Sequence, residues 1–502
     1  MTAVLDPDLR SIQETRDLLA RATEAARSFA RVDQVQADRA VEAMGEAAER
    51  AAERLARSAF EETGMGRYAD KVTKNLFAAV DVRRYISPLK TCGVIREDRE
   101  RRVKELAVPM GVVAALVPTT NPTSTVIYKA LIAVKARNAV VFSPHPRATR
   151  CVIETVDLLR EAAARAGAPA DLIQTITQPT LEGTNELMRH RATAVILATG
   201  GSAMVRAAYS SGKPAYGVGP GNAPAIVERT ADIPKAVADI VAGKSFDNGL
   251  LCSAENSLIC DAPIENRVRA ELTRQRAVFV RSAERDRLQR AMQCRRTGGI
   301  SPEIVGLPAV AIAQRAGISV PADTRILVVE CRSVGRDEFF SREKLSPVLA
   351  FYVEEGWEAC CERSIELLEF GGIGHSLSIH SGDEHVIERF FEEKPAFRIL
   401  VNTVCTLGAV GATTGLAPAM TLGPGTWGGS STSDNITPLH LINIKRLAYE
   451  TKPYRAADDA VAGDPAAVRS GAVPAGVRTD TAGEVARAVE AFLAERRGRR
   501  RV

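Results

Sequence analysis

Between Asp8 and Met65 apolar positions recur three and four residues apart, which predicts two amphipathic helices, SIQETRDLLARATEAARSFA and VDQVQADRAVEAMGEAAERAAERLARSAFEETG, with Gly64 as the stop. From Val108 the pattern changes. Short apolar runs (GVVAALVP, NAVVFS, DLIQTI, TAVILA, APAIVE) alternate with helical stretches that start at Ser124, Ala148, Leu181, Ser202 and Ile233. Continuous apolar runs suit strands buried on both faces, and parallel strands need crossover helices, so the alternation predicts a doubly wound parallel sheet. After Phe246 a second alternation follows, with ENSLICD, TRILVVE, SPVLAFYVE, HSLSIH and FRILVN as strands and helices near residues 263–276, 356–370 and 384–394. The expected fold class is α/β, two doubly wound domains covering residues 1–243 and 244–435.

Residues 405–435 carry too much Gly, Thr and Ser for a regular element and are expected to form an ordered loop over a site. LHLINIKRLAYE reads as a last strand, within residues 436–450. Residues 451–480 shift to Ala, Gly, Pro and Asp, the composition of a linker. Residues 481–502 are expected to hold a short amphipathic helix with an Arg-rich end: Thr481 and Glu484 form a capping-box pattern, and Val485, Val489, Phe492 and Leu493 share one face.

At 502 residues the chain is too long for a single core. Its composition, 45% hydrophobic, 25% charged and 5% aromatic, excludes a disordered, collagenous or disulfide-scaffold protein. No apolar stretch is long enough to span a membrane and the first residues do not resemble a secretory signal, so a cytoplasmic enzyme is expected. The net charge of +5 equals the number of arginines in the last seven residues. A basic tail can touch a polyanion, but a specific nucleic-acid-binding body is not indicated. Nine cysteines without a C-x-x-C pair point to reduced thiols, and neither they nor the six scattered histidines have zinc spacing, so no metal is expected.

Candidate chemistry gathers in a few segments. GVGPGN (217–222) lacks the last glycine of a dinucleotide fingerprint and precedes a strand, which favours a tight turn. ATGGSAMV (198–205) is the better phosphate candidate: Gly200 and Gly201 follow a strand and open a helix, although such turns are often only structural. Cys252, in SFDNGLLCSAENS, lies between polar, turn-prone groups, unlike Cys151 or Cys260, and reads as a nucleophile or a buried structural thiol. In PTTNPTST, Asn121 stands past the end of a strand, where it can face a ligand or cap the next helix.

Taken together, PTTNPTSTVIYKALIAVKARNAVVFSPHPRA, ILATGGSAMVRAAYSSGKPAYGVGPGN, KSFDNGLLCSAEN, EKLSPVLA, FGGIGHS and TLGPGTWGGSSTSDNITPLHLINIK closely resemble the CoA-acylating aldehyde dehydrogenases, both stand-alone enzymes and the N-terminal half of bifunctional aldehyde/alcohol dehydrogenases, from about residue 10 to 450. The resemblance implies an aldehyde dehydrogenase-like fold with an oligomerisation arm, its hairpin near residues 90–108 and its strand in 436–450, in a homodimer or homotetramer. It implies Cys252 as nucleophile and Asn121 as oxyanion-hole amide. Leu116, Val117, Pro118, Thr119, Thr120, Gly200, Gly201, Gly219, Glu343 and Leu422 would line a nicotinamide cofactor. His375 would assist acyl transfer to CoA, or serve as a hydrogen-bonded structural residue. The family's ribose-binding Lys-Pro pair is replaced by Ser143, Pro144 and His145, which leaves NAD and NADP both open, with Arg147 as a cation for a 2′-phosphate. Hydrolytic members of the wider superfamily carry a glutamate base where this chain has GKPAYGVGPGN, a stretch with no acidic residue, so CoA and not water is expected to take the acyl group.

The implied reaction converts a short-chain aldehyde, NAD(P)+ and CoA to acyl-CoA and NAD(P)H. Sulfoacetaldehyde or another small functionalised aldehyde stays open as substrate, and a non-catalytic scaffold or nucleic-acid-associated protein is the competing class. The tail resembles segments that direct relatives to a bacterial microcompartment, so residues 481–495 are expected either to dock on a shell protein or to form a frayed surface helix.

Overall fold

The computed structural model describes residues 6–454. The helix expected to carry Val485, Val489, Phe492 and Leu493, and the expected linker past Tyr454, lie outside the described residues. Fifteen strands follow in chain order: β1 (Gly93–Asp98), β2 (Val103–Pro109), β3 (Val112–Val117), β4 (Ala139–Pro144), β5 (Ile173–Thr175), β6 (Thr193–Thr199), β7 (Ala215–Val218), β8 (Pro224–Val227), β9 (Ser257–Asp261), β10 (Ala277–Phe279), β11 (Ile326–Glu330), β12 (Val348–Glu354), β13 (Leu377–His380), β14 (Ile399–Val401) and β15 (Ile442–Ala448).

They make three sheets. The first is five-stranded and parallel, in the order β5-β4-β3-β6-β7. The chain enters at its centre, moves outward through β4 and β5, then returns to place β6 on the other side of β3. That reversal opens a crevice past the carboxyl ends of β3 and β6, where doubly wound sheets bind ligands. All six residues of β3 are buried, as its unbroken apolar run requires. The second sheet is seven-stranded and parallel, in the order β10-β11-β12-β9-β8-β13-β14. Alternate residues feed separate cores on its two faces: Leu327, Val329, Val348 and Ala350 join one, while Ile326, Val328, Leu349 and Phe351 join the other. This sheet takes in β8 from Pro224, so the strand APAIVE, expected with the first domain, belongs to the second sheet, ahead of the boundary expected between residues 243 and 244. The third sheet, β1-β2-β15, pairs Gly93 with Ala107 and Asp98 with Val103 in an antiparallel hairpin.

The N-terminal helical region differs from its pattern in one respect. It forms three helices, Pro7–Phe29, Gln34–Arg50 and Ala52–Thr63, because the second run kinks at Ala51 (φ −96°, ψ 3°), where no Gly or Pro signals a break. Gly64 ends the third in the left-handed conformation (φ 66°), as its residue type allows. The helix expected from Ser124 starts at Pro122, whose missing N–H costs nothing in the first turn. Residues 405–435 form a helix at Cys405–Ala409 and otherwise turns, tied by a bridge between Leu422 and Asn435.

Residues 6–99 and Val103–Leu447 make one compact unit that contains both parallel sheets. Among the described residues Glu100–Arg102 and residues 448–454 belong to a second, in which the Tyr449 N–H donates to the Arg102 carbonyl (3.2 Å) and the Arg102 guanidinium lies 5.3 Å from the Tyr449 ring centroid. No helix among the described residues is long and apolar enough to cross a membrane.

Candidate active site

One cleft of about 1020 Å³ is lined by residues from both parallel sheets. The first sheet contributes carboxyl-terminal ends: Leu116 and Val117 of β3 with Pro118, Thr119, Thr120 and Asn121 beyond it, His145 after β4, Gly200 and Gly201 after β6, and Gly219 after β7. The second contributes segments that lead into strands, with Cys252 before β9 and Glu343 before β12; Leu422 comes from the 405–435 region. His375, in the turn before β13, touches Cys252 directly. The structure therefore brings together the residues expected in the active site.

Cys252 Sγ lies 3.2 Å from His375 Nε2, and His375 Nδ1 lies 3.1 Å from Ser376 Oγ. Burial pushes the thiol up to about 12, reinforced by the Glu343 carboxyl and opposed by the Arg398 guanidinium. Burial, with Arg398 nearby, pushes His375 down to about 3. Gly221 explains the spacing of GVGPGN: a Cβ there would stand 2.2 Å from the Cys252 carbonyl oxygen and 3.1 Å from His375 Cγ. The tight turn from β7 to β8 thus passes flush against the thiol-bearing segment. The Gly221 N–H donates to Glu343 Oε1 at 2.9 Å, and burial raises the Glu343 carboxyl to about 8.

The approach to Cys252 is strained. Asp247 (φ 46°) and Asn248 (φ 54°) are both left-handed without being glycine, and Gly249 (φ 73°) follows. Such backbone persists only where surroundings over-determine it. Here Asp70 accepts the Asp247 N–H (2.7 Å), Asp247 accepts the Arg67 N–H (2.6 Å), and the Asn248 amide donates to the Gly66 (3.1 Å) and Gly306 (2.8 Å) carbonyls.

Asn121 precedes the helix Pro122–Lys135 but makes no side-chain cap, so the amide is free for other work. Its Oδ1 accepts from Lys74 Nζ at 2.6 Å and its Nδ2 donates to Thr120 Oγ1 at 3.0 Å. Within the same helix Lys129, wholly buried, donates to the Leu116 (2.7 Å) and Leu197 (2.9 Å) carbonyls and so ties the ends of β3 and β6 together.

The cleft fits a dinucleotide on two observations. No side chain caps the helix Ser202–Tyr209, which leaves its first N–H groups open for a phosphate. A Cβ on Gly201 would meet nothing within 4 Å, so the backbone faces open space. His145, the N-cap of the short turn Pro146–Ala148, accepts the Arg147 N–H and is held neutral by burial and by Arg147. Among the described residues no three His, Cys, Asp or Glu side chains gather as a metal site.

Sequence reasoning missed three charged residues that build the site. Arg398 is buried and donates to the His375, Gly423 and Ser433 carbonyls and to Asn435 Oδ1, pinning the histidine and the 421–435 loop at once. Its only signal was a charge at the start of the apolar run FRILVN. Lys74 and Asp247 form a buried ion pair, with Lys71 3.4 Å from the same carboxylate. Nothing in a helical, polar stretch such as YADKVTKNL marks two of its lysines as buried.

A model of the aldehyde dehydrogenase family matches residues 8–287. The aldehyde-alcohol dehydrogenase of Streptococcus pneumoniae is 44% identical over 401 residues, covering 78% of this chain and 45% of that protein. The chain thus spans about half the length of the curated relatives of that kind, which reach 50% coverage in Escherichia coli. Among solved structures, an acetylating aldehyde dehydrogenase from Geobacillus thermoglucosidasius is 50% identical with a TM-score of 0.89, covering 90% of this chain and 100% of that one. A propionaldehyde dehydrogenase of Rhodopseudomonas palustris, solved with bound CoA and an acylated cysteine, is 29% identical with a TM-score of 0.78, covering 87% and 97%. A cleft built on a cysteine, an amide and an uncapped helix start, together with these likenesses, leads to one conclusion: the chain belongs to the aldehyde dehydrogenase family.

Proposed function

We propose that the protein converts a short-chain aldehyde and CoA to the acyl-CoA, with NAD(P)+ as oxidant, through a thiohemiacetal and then a thioester on Cys252. The observation that carries this reading is the Cys252–His375 contact on a cleft shared with Asn121 and the Gly200–Gly201 turn. A sulfur nucleophile adds to the aldehyde carbon, and the Asn121 N–H and the Cys252 backbone N–H are the donors for the oxyanion that forms. Cys252 and His375 start neutral, so the proton passes from Sγ toward Nε2 as the carbon–sulfur bond forms, not beforehand. A bound nicotinamide dinucleotide supplies the hydride acceptor. When the thiohemiacetal carbon gives up hydride, its oxygen becomes a carbonyl and Cys252 carries the thioester.

The thioester's fate follows from what surrounds it. Residues 212–222 contain no carboxylate, and Glu343 is raised to about 8, so near neutral pH it is protonated and a poor base for water. CoA thiolate takes the acyl group and regenerates Cys252. Arg147 lines the same cleft and offers a cation to a 2′-phosphate, so NADP fits as well as NAD. The sheet β1-β2-β15, with Val94 and Leu447 exposed, is the surface on which a second copy would add.

The test is to follow NAD(P)H and acyl-CoA from an aldehyde such as acetaldehyde, with and without CoA. Both products should form together and only with CoA; free acid formed at the same rate without CoA would overturn the proposal.

A further inference from the structure

We infer that Lys74, held by Asp247, is a positioning residue for the reaction: it turns the Asn121 amide so that its N–H, and not its carbonyl oxygen, is presented to the developing oxyanion. The inference rests on the reading of Asn121 as an oxyanion donor. An amide has two ends of similar shape, and only one of them stabilises negative charge. Presented the wrong way round, the carbonyl oxygen would repel it. An ammonium has donors and no acceptor, so the amide atom 2.6 Å from Lys74 Nζ is Oδ1. Thr120 Oγ1 takes one amide hydrogen at 3.0 Å, and among the described residues the second has no protein partner. Asn121 and Cys252 line the same cleft.

Lys74 is itself fixed. Its side chain is 4% exposed, it pairs with the fully buried Asp247, and Thr120 O lies 3.4 Å from the same nitrogen. Asp247 stands five residues before Cys252, in the left-handed stretch that delivers the thiol. One buried ion pair therefore ties the amide donor and the nucleophile's loop to a common point, though they come from different sheets. A buried charge pair is a poor source of stability, since desolvation offsets its attraction, whereas holding a geometry is a use that fits its position.

The experiment is a double-mutant cycle on the full chain with Lys74→Met and Asn121→Ala, reading kcat for aldehyde oxidation with CoA and the dinucleotide Kd by fluorescence. Lys74→Met removes the nearer of the two lysines on the buried Asp247, so the charge-neutral pair Lys74→Met/Asp247→Asn is made alongside to keep a folded protein. Asn121→Ala should lower kcat by about 10²- to 10³-fold. Lys74→Met, alone or with Asp247→Asn, should lower it about tenfold or more, and in the Asn121→Ala background it should change kcat by less than about threefold, because the amide it orients is gone. The dinucleotide Kd should stay within about threefold throughout. The inference falls if folded Lys74→Met keeps wild-type kcat, or if its effect multiplies undiminished on that of Asn121→Ala. If Asn121→Ala itself keeps wild-type kcat, the oxyanion reading fails first and takes the inference with it.

Discussion

Near pH 7 the Cys252 thiol and the His375 imidazole meet as two neutral groups, one pushed up to about 12 and the other down to about 3. A group whose pKa is raised loses its proton only as pH climbs toward that value, so without cofactor the thiolate fraction should rise about tenfold per pH unit from pH 7 to 10, with no plateau. Alkylation of Cys252 by iodoacetamide, followed by peptide mass spectrometry, reads this directly. Cys294 provides an internal comparison, since hydrogen bonding to Thr297 lowers its pKa, and it should be modified first. A Cys252 rate that levels off below pH 9 would place the thiol in a different environment. Gly201→Val tests the cofactor side. Its side chain would enter open space without a protein clash, so folding should survive while dinucleotide affinity falls about tenfold or more, as a titration would measure. Cys252, Asn121 and the Gly200–Gly201 turn were legible because each breaks a local pattern: a thiol among turn residues, an amide past a strand end, a glycine pair opening a helix. Lys74, Asp247 and Arg398 were not, because burial of a charge depends on partners more than 20 residues away that no local pattern records.

At the level of elements, the site is held by loops that rigid strands deliver and a few buried donors pin. Arg398 opens the approach to β14 and gives its guanidinium to carbonyls on both the His375 turn and the 421–435 loop. Lysine has one donor group where arginine has a planar fork, so Arg398→Lys keeps the charge and strands at least one buried carbonyl. Loss of about 2 kcal/mol or more of local stability is expected, read as amide exchange in residues 421–436 faster by a factor of about 30. Exchange unchanged from the wild type would mean that the loop is held by other contacts, such as the Tyr128 hydroxyl on the Ile436 carbonyl (2.6 Å). Long apolar runs such as β3, β4, β6 and β12 were readable because burial on both faces leaves no polar interruption. β7 was not, because AYGV is short and set among glycines and prolines. β10 and the helix Ser282–Met292 were hidden by charge, with arginine at four of the positions from 281 to 290.

On the scale of the whole molecule, the cleft exists because the carboxyl ends of one parallel sheet face segments that enter the other. The rule that ligands gather at carboxyl ends finds Leu116 to Asn121 and Gly200–Gly201, but it is silent about Cys252, Glu343 and His375, which precede β9, β12 and β13. Cys252 stood out by its turn-prone surroundings, whereas Glu343 and His375 became visible through the resemblance of whole segments to known enzymes, which carries information that periodicity does not. The same architecture puts a protonated Glu343 near Cys252 and no acid anywhere in residues 212–222, so the thioester should outlast a turnover when CoA is withheld. The most direct measurement is to mix the protein with an aldehyde and NAD(P)+, quench in acid without CoA, and weigh the peptide that contains Cys252. The expected result is one acyl group on Cys252, absent in Cys252→Ala and discharged as acyl-CoA when CoA is added before the quench; an unmodified Cys252 peptide from an enzyme that is making NAD(P)H would contradict the account.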